Sequence, residues 1–292
     1  MNQFLDLTLN GVSYGMILAA VALSLVLIWR STRVVNFATG AMFMVTTFVA
    51  YSVIRQTGSY WVGFAAAVLA GLVLGAITER LLIRPVEGKP ALNAIMVTIG
   101  WLVLLQAVAG MVWGGTPRSF PPAFSIRGFE VGGDRLLFSP FDAFVVAIVL
   151  SLMALLVLLF RRTAIGLRMR ASAFSPEVSR LVGVRVGRML TLGWALAAGT
   201  GALAGVLVAP QTFVGPNQFD AILVFGFTAA VIGGLDSPPG ALLGGLMVGL
   251  VLSYVSGYLS TELTPVGALA VLLAVLMVRP TGLLAGTRGR KV

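Results

Sequence analysis

The chain alternates between long apolar runs and short polar segments. Several runs approach the roughly 20 apolar residues that a membrane-spanning helix needs. They are continuously apolar and lack the alternation of a membrane β-barrel strand. The pattern predicts an all-α polytopic membrane protein with about 8–9 transmembrane helices. The predicted spans are Leu9–Trp29, Phe37–Ile54, Trp61–Ile83, Ala91–Trp113, Phe141–Phe160, Met189–Ala209, Phe219–Leu235, Ala241–Leu259 and Thr264–Val278.

Composition supports this class. Of the 292 residues, 58% are hydrophobic and only 10% are charged, whereas a soluble domain carries roughly 25% charged residues. The chain has no cysteine and no histidine, which excludes disulfides, thiol chemistry and histidine ligands or proton relays. No acid–base pair, metal-binding motif or phosphate loop is visible. We therefore predict no catalytic residue, no metal site and no enzyme activity.

Basic residues predict the orientation of a single transmembrane domain that covers residues 1–292. The loop Arg161–Arg188 carries seven arginines and one acid, Glu177. Because arginine accumulates in cytoplasmic loops, this loop is placed inside the cell. The C-terminus is then cytoplasmic and Gly114–Ser139 is an external loop. Of the 20 Lys and Arg residues, this topology leaves outside only Arg55, Arg118, Arg127 and Arg135.

The net charge of +10 follows from this topology and does not predict nucleic-acid binding. The first apolar run lacks a preceding basic region, so it is interpreted as a spanning helix and not as a cleaved signal peptide.

The second apolar run leaves two interpretations open. It begins with Asn36-Phe37-Ala38-Thr39-Gly40, residues that favour a broken start buried in protein. If this run crosses the membrane, nine crossings place the N-terminus outside. If it is re-entrant, the N-terminus is inside and the later helices keep their orientation.

Glycines recur four residues apart in several predicted spans, a spacing that lets helices approach closely. Such pairs predict Gly-rich helix packing. The pairs are Gly11/Gly15, Gly71/Gly75, Gly201/Gly205, Gly240/Gly244 and Gly245/Gly249. A faint internal repeat also links the first span through Val49 with the sixth through Ala230, and internal repeats are common in transporters.

The basic loop contains a helix signal. Ser175-Pro176-Glu177 is a favourable helix start and Gly183 a plausible stop. A short interfacial helix is therefore predicted within residues 161–188. The alternative is a solvated basic loop that contacts anionic lipid headgroups.

Motifs along nearly the whole chain resemble one known family, and their order and spacing together are specific. They are Asn36-Phe37-Ala38 with Gly40 and Met42, Arg84-Pro85, Thr98-Ile99-Gly100 with Leu104-Leu105-Gln106 and Trp113-Gly114, Gly166-Leu167-Arg168-Met169-Arg170-Ala171, Leu181-Val182-Gly183-Val184, Gly201-Ala202-Leu203-Ala204-Gly205, Ala230-Val231-Ile232-Gly233-Gly234-Leu235 with Ser237, Pro239-Gly240-Ala241, Gly244-Gly245 and Arg279-Pro280-Thr281-Gly282-Leu283. On these residues the chain resembles the LivH-type permease subunit of ATP-binding-cassette (ABC) importers for branched-chain amino acids.

The resemblance implies several partners: cytosolic ABC ATPase subunits, a second homologous permease subunit and a periplasmic substrate-binding protein. It implies no cofactor in this chain, since ATP is bound by the partner subunits. It also implies a coupling helix around Arg170–Val184 that docks on the ATPase. The implied coupling residues are Arg170, Ala171, Ser175, Glu177, Arg180, Leu181 and Gly183. Many members carry an acidic pair where this chain has Phe174 and Ser175, and Glu177 is the available substitute.

The resemblance also implies residues beside a central pathway, and broken helices are tolerated where they face a cavity. A purely structural role in helix breaks is the alternative. The pathway residues are Asn36, Thr39, Gly40, Gly233, Gly234 and Gly240.

The sequence therefore yields one main hypothesis, a permease subunit in the bacterial cytoplasmic (inner) membrane that imports branched-chain or related amino acids. Urea and short amides are alternative substrates within the same importer family. A self-sufficient channel or facilitator is an alternative from another class, because no mid-membrane charge for ion coupling is visible. A membrane-embedded enzyme is disfavoured by the missing His, Cys and interior acid pairs.

Overall fold

The computed structural model describes residues 3–131, 134–136, 138–217 and 219–284, and helices account for most of them. The α-helices are α1 Gln3–Thr32, α2 Thr39–Thr57, α3 Tyr60–Ile77, α4 Ala91–Trp113, α5 Pro140–Arg162, α6 Ala164–Phe174, α7 Pro176–Leu181, α8 Val186–Val208, α9 Asp220–Gly233, α10 Pro238–Tyr258 and α11 Thr264–Val278. A π-helical turn, Thr78–Ile83, and a 3-10 turn, Arg84–Val86, extend α3, and a 3-10 turn at Thr261–Leu263 precedes α11. A short antiparallel hairpin, β1 Glu130–Val131 and β2 Asp134–Arg135, lies in the segment between α4 and α5.

The predicted all-α polytopic architecture is confirmed. Seven of the described helices are long and apolar enough to cross a membrane, and α9 is a shorter apolar helix. The seven candidate spans are Gln3–Thr32, Tyr60–Val86, Ala91–Trp113, Pro140–Arg162, Val186–Val208, Pro238–Tyr258 and Thr261–Val278.

Local sequence signals explain where α5 starts. Ser139 is its N-cap and accepts a hydrogen bond from the Asp142 N–H, while the Asp142 carboxylate accepts one from the Ser139 N–H. This reciprocal capping box satisfies two backbone donors that a helix start otherwise leaves unpaired. Ser13 on α1 also donates to Asp142, at 2.5 Å, and ties α5 to the centre of the bundle.

Helices α1 and α8 form the buried centre of the protein. Most of α1 is enclosed by other helices, as is most of α8. Glycines make this possible, because they let neighbouring backbones approach without a hydrophobic driving force. Gly71 and Gly75 of α3 face α8, and Gly245 and Gly249 of α10 face α1. The predicted glycine pairs therefore lie at helix contacts.

The direction of α1 bears on how the second apolar run lies. Ser24 on α1 donates a hydrogen bond to the Ala197 carbonyl on α8, at 2.8 Å. Seven residues further along α1, Ser31 faces Gly193. Residue numbers on α8 fall as those on α1 rise, so the two helices are antiparallel. The re-entrant interpretation requires them to be parallel, so the antiparallel contact favours the interpretation in which α2 crosses, although α2 is not among the seven candidate spans.

The starts of α2 and α9 share one local geometry. The N–H of Thr39 donates to the carbonyl of Asn36 at 3.3 Å, and the N–H of Asp220 donates to Asn217 at 3.5 Å. Residues 33–38 connect α1 to α2, and residues 209–219 connect α8 to α9. The internal repeat suggested by the sequence stays a prediction.

Candidate translocation and coupling sites

An apolar cavity of about 340 Å³ lies between the start of α2 and helices α1, α9 and α11. Its polar lining side chains are Asn36 and Thr228, which are 1% and 6% exposed. The rest of the lining is apolar and consists of Leu25, Val35, Phe37, Leu223, Val224, Phe225, Phe227, Pro265, Ala268, Leu269 and Leu272. Such a cavity accommodates an aliphatic group far better than a charged one, because it offers few hydrogen-bond partners.

Asn36 shapes the start of α2 with its own side chain. Its Oδ1 accepts a hydrogen bond from the Ala38 N–H at 3.0 Å, and its carbonyl accepts one from Thr39 Oγ1 at 2.7 Å. Gly40 packs against Leu223 and Phe219 of the α9 start. Of the predicted pathway residues, Asn36 therefore lines the cavity, whereas Thr39 and Gly40 support its wall.

The other three predicted pathway residues lie elsewhere. Gly233 and Gly240 contact each other through their backbones where α9 turns into α10, and Gly234 takes φ +99°. Leu223 and Gly233 are ten positions apart on α9, about 15 Å at the helical rise. None of these three glycines lines the cavity. At this turn a side chain at Gly233 or Gly240 would collide with backbone, which gives both glycines a packing role.

The predicted coupling residues come together on one projecting segment, α6 and α7. The predicted helix start at Ser175-Pro176 is confirmed as the start of α7, and Gly183 follows its end with φ +80°. Helix α6 precedes α7, and the helical conformation is interrupted between them at Ser175. Arg170, Glu177, Arg180 and Leu181 are exposed. The most exposed apolar side chains are Phe174, at 93%, and Leu181, at 87%.

The projecting segment is held firmly to the bundle. Thr163 caps α6 by accepting a hydrogen bond from the Gly166 N–H at 3.0 Å. Gly166 contacts the backbone of Leu159, which permits the sharp turn out of α5. At the far end, the Val184 N–H donates to the Ser179 carbonyl at 2.9 Å and closes α7. These local contacts define how α6 leaves α5 and how α7 ends before α8.

An ion pair between a buried carboxylate and a partly exposed arginine lies beside the start of α8, and sequence reasoning did not identify it. Arg84 donates to Glu79 Oε2 at 3.0 Å and to the Gly187 carbonyl at 2.8 Å. Thr191 also donates to Glu79 Oε2, at 2.6 Å. The Glu79 side chain is 1% exposed and that of Arg84 is 37% exposed. This cluster joins the π-helical turn after α3 to the first turns of α8.

Two sequence signals pointed to this cluster. Glu79 is an acid inside an otherwise apolar run, and such residues in membrane helices are costly unless they have a partner. Arg84 follows five residues later, within reach only if the helix widens locally, as it does in the π turn. Among the described residues, no group of three or more His, Cys, Asp or Glu side chains is placed to hold a metal ion.

Comparison with known proteins agrees with this geometry. Residues 7–278 match the family described as branched-chain amino acid transport system / permease component. The high-affinity branched-chain amino acid transport system permease protein LivH of Escherichia coli K12 is 31% identical, over 99% of this chain and 98% of LivH. The corresponding protein BraD of Pseudomonas aeruginosa is 26% identical over the same shares.

More distant similarities extend the comparison. The xylose/arabinose import permease protein XylH of Sulfolobus acidocaldarius is 33% identical, over 62% of this chain and 47% of XylH. A solved structure, PsaBC from Streptococcus pneumoniae in complex with Fab, superposes with a TM-score of 0.51. It is 14% identical and covers 96% of this chain and 93% of its own, so this likeness concerns the fold alone. The chain is a multi-pass membrane protein that belongs to the family of branched-chain amino acid transport system permease components.

Proposed function

We propose that this chain is the membrane-spanning subunit of an ABC importer that moves branched-chain or related amino acids into the cytoplasm. Separate ATPase subunits supply the energy, a second homologous permease subunit completes the pathway, and a periplasmic binding protein delivers the substrate. The chain itself holds no cofactor in this proposal, because ATP is bound by its partners. The membrane is the bacterial inner membrane, with the C-terminus in the cytoplasm.

The projecting α6–α7 segment is the observation that carries this proposal. It presents Phe174 and Leu181 almost fully exposed, beside the arginines of the predicted cytoplasmic loop. Val178 and Val182 on the same segment are also exposed, and an exposed apolar patch of this kind is typical of a surface that contacts a protein or a membrane. Closure of an ATPase around this segment would move α5 and α8 as rigid bodies.

The cavity beside Asn36 supports an aliphatic substrate. Its lining is almost wholly apolar, and it lies where the α2 start meets α9 and α11. A branched aliphatic side chain is compatible with such a lining, whereas urea, short amides and pentoses would leave their polar groups without partners.

Two experiments test the proposal. We first expect the tagged chain, purified in mild detergent from its native host, to recover P-loop ATPases and a second permease. Recovery of a stable, defined oligomer of this chain alone would favour a self-sufficient channel. Second, a binding protein encoded nearby is tested against leucine, isoleucine, valine, urea, short amides and pentoses. Failure to bind any aliphatic amino acid would refute the proposed substrate.

The coupling surface has its own variants. The double variant Phe174→Ala/Leu181→Ala is expected to weaken ATPase association at least about tenfold, since each buried apolar side chain contributes roughly 1.5–3 kcal/mol. The matched control is Met277→Ala, which removes a similarly exposed apolar side chain, at 86%, near the end of α11. Equal association of the double variant and the wild type would remove the coupling role of α6 and α7.

A further inference from the structure

A cationic cleft of about 350 Å³ lies between α6 and the turn that joins α7 to α8. Three arginines line it: Arg168 from α6, Arg185 at the N-cap of α8 and Arg188 in the first turn of α8. The remaining lining is Val182, Gly183, Val184 and Met189. The cleft is therefore amphipathic, with guanidinium groups and apolar side chains on the same surface.

The cleft has no acidic counterpart. No carboxylate lines it, and in the described part of the chain none of the three arginines forms an ion pair. The single acid of the loop, Glu177, lies in the first turn of α7, outside the lining. Three guanidinium groups around one space repel each other, and an anion there would relieve that repulsion. Arginine is particularly suited to phosphate, because its planar fork donates two parallel hydrogen bonds.

The position of the cleft indicates where that phosphate comes from. Arg185 and Arg188 lie where the long apolar helix α8 begins, which is the depth of lipid headgroups for a spanning helix. The partial positive charge of the α8 N-terminus adds to the attraction. The apolar part of the lining consists of Val182, Val184 and Met189, and Val182 is 72% exposed. A ligand in the cleft therefore contacts apolar side chains as well as arginines. A free phosphate ion cannot use these apolar contacts, whereas the glycerol and acyl part of a phospholipid can.

We propose that this cleft binds the phosphate headgroup of an anionic phospholipid, with Arg168, Arg185 and Arg188 as its ligands. The bound headgroup bridges α6 and α8, since the three arginines come from both sides of the cleft. The bound headgroup thereby holds the projecting α6–α7 segment against the first turn of α8. The proposal needs only a membrane-embedded chain and is independent of what the protein transports.

The test measures lipid binding to the purified full chain. The protein is placed in nanodiscs that contain phosphatidylcholine with a small fraction of phosphatidylglycerol, and retained lipid is quantified by native mass spectrometry after mild delipidation. We expect selective retention of phosphatidylglycerol. The variant Arg168→Gln/Arg188→Gln is expected to weaken that retention about 30-fold, because each arginine near an anionic surface contributes about 1 kcal/mol.

Matched variants separate the cleft from general charge. Arg161→Gln/Arg162→Gln removes two exposed arginines at the end of α5 that do not line the cleft, and it should retain phosphatidylglycerol like the wild type. Arg168→Lys/Arg188→Lys keeps the positive charge but cannot donate two parallel hydrogen bonds from a planar guanidinium group. Intermediate retention of phosphatidylglycerol is therefore expected. If the Gln variant fails to fold, this Lys variant carries the test.

Several outcomes would overturn the proposal. If the cleft variant and the α5 control lose the same amount of retained phosphatidylglycerol, the retention depends on the total positive charge of the chain and not on this cleft. Equal retention of phosphatidylcholine and phosphatidylglycerol would exclude a selective site. Unchanged lipid retention with lost ATPase association would assign the arginines to a protein partner. Displacement of the lipid by millimolar inorganic phosphate would support the phosphate chemistry but make a soluble anion the ligand.

Discussion

Glycines in this protein differ in what surrounds them: some lie in close helix contacts, and others face open space. A Cβ added at Gly245 would lie 2.5 Å from the Ala19 Cα of α1, and one at Gly75 would lie 2.7 Å from the Ala198 Cβ of α8. Gly100, on α4, has open space around it. The first two permit close helix contacts, whereas Gly100 only lowers the helix propensity of α4.

This difference predicts opposite effects of the same substitution. Gly245→Ala is expected to destabilise the protein by about 1–3 kcal/mol, because the backbone of α1 cannot move away from the added methyl group. Gly100→Ala is expected to leave stability unchanged or raise it by about 0.5–1 kcal/mol. Thermal unfolding of both variants in detergent measures the effect. Similar melting temperatures would contradict the close-packing interpretation.

The Glu79–Arg84 pair predicts that loss of Arg84 destabilises the protein more than loss of the Glu79 charge. Arg84→Met leaves the carboxylate of Glu79 buried with Thr191 as its remaining donor, which should cost about 3 kcal/mol. Glu79→Gln should cost less, because Arg84 is partly exposed and keeps its bonds to Gly187 and Thr191. The readout is again thermal unfolding, with Glu87→Gln in the following turn as a control. If Glu79→Gln is the more destabilising variant, the pair does not behave as a buried carboxylate with a partly exposed partner.

At the scale of elements, α11 provides one wall of the apolar cavity. Ala268, Leu269 and Leu272 face it, although α11 is otherwise among the most exposed spans. Leu269 is 54% exposed, so a larger side chain there can enter the cavity without displacing the core. Leu25 of α1, the start of α2 and residues 223–228 of α9 form the other walls, so the cavity depends on four parts of the chain.

A substitution on α11 tests whether substrate passes this cavity. Leu269→Trp is expected to slow uptake of branched-chain amino acids about tenfold, which corresponds to roughly 1.4 kcal/mol of added barrier. Leu273→Trp is the matched control, because Leu273 is 53% exposed on the same helix and does not line the cavity. Uptake is measured in proteoliposomes with the complete transporter at equal protein amounts. Equal uptake by both variants would remove the cavity from the pathway.

At the scale of the whole molecule, helix directions and charge distribution must agree. The antiparallel contact of α1 with α8 matches the nine-span topology, and the arginines cluster at the side of α6 and α7. Arg33, at the end of α1, forms an ion pair with Asp236 in the turn between α9 and α10. Both residues are thus on the same predicted side of the membrane.

Because the chain contains no cysteine, thiol labelling tests this orientation directly. Thr57→Cys, at the end of α2, is expected to react with a membrane-impermeant maleimide in intact spheroplasts. Glu177→Cys, on α7, should react only after the membrane is permeabilised. The reverse labelling pattern would invert the topology and place α6 and α7 outside the cell.

The sequence alone determined the class, seven of the nine predicted spans and the start of α7, because each depends on local properties. Apolar length identifies a membrane helix, and Ser-Pro-Glu at residues 175–177 identifies a helix start whatever its surroundings. It also located the basic loop, since charge asymmetry is a property of sequence position.

Only the tertiary structure decided which of those residues act together. It placed Asn36 in a cavity wall with residues of α1, α9 and α11, and it moved Gly233 and Gly240 into a packing contact. It also paired Glu79 with Thr191, which is 112 residues away. Contacts between helices depend on their relative direction and rotation, and a single apolar helix in lipid carries little information about either.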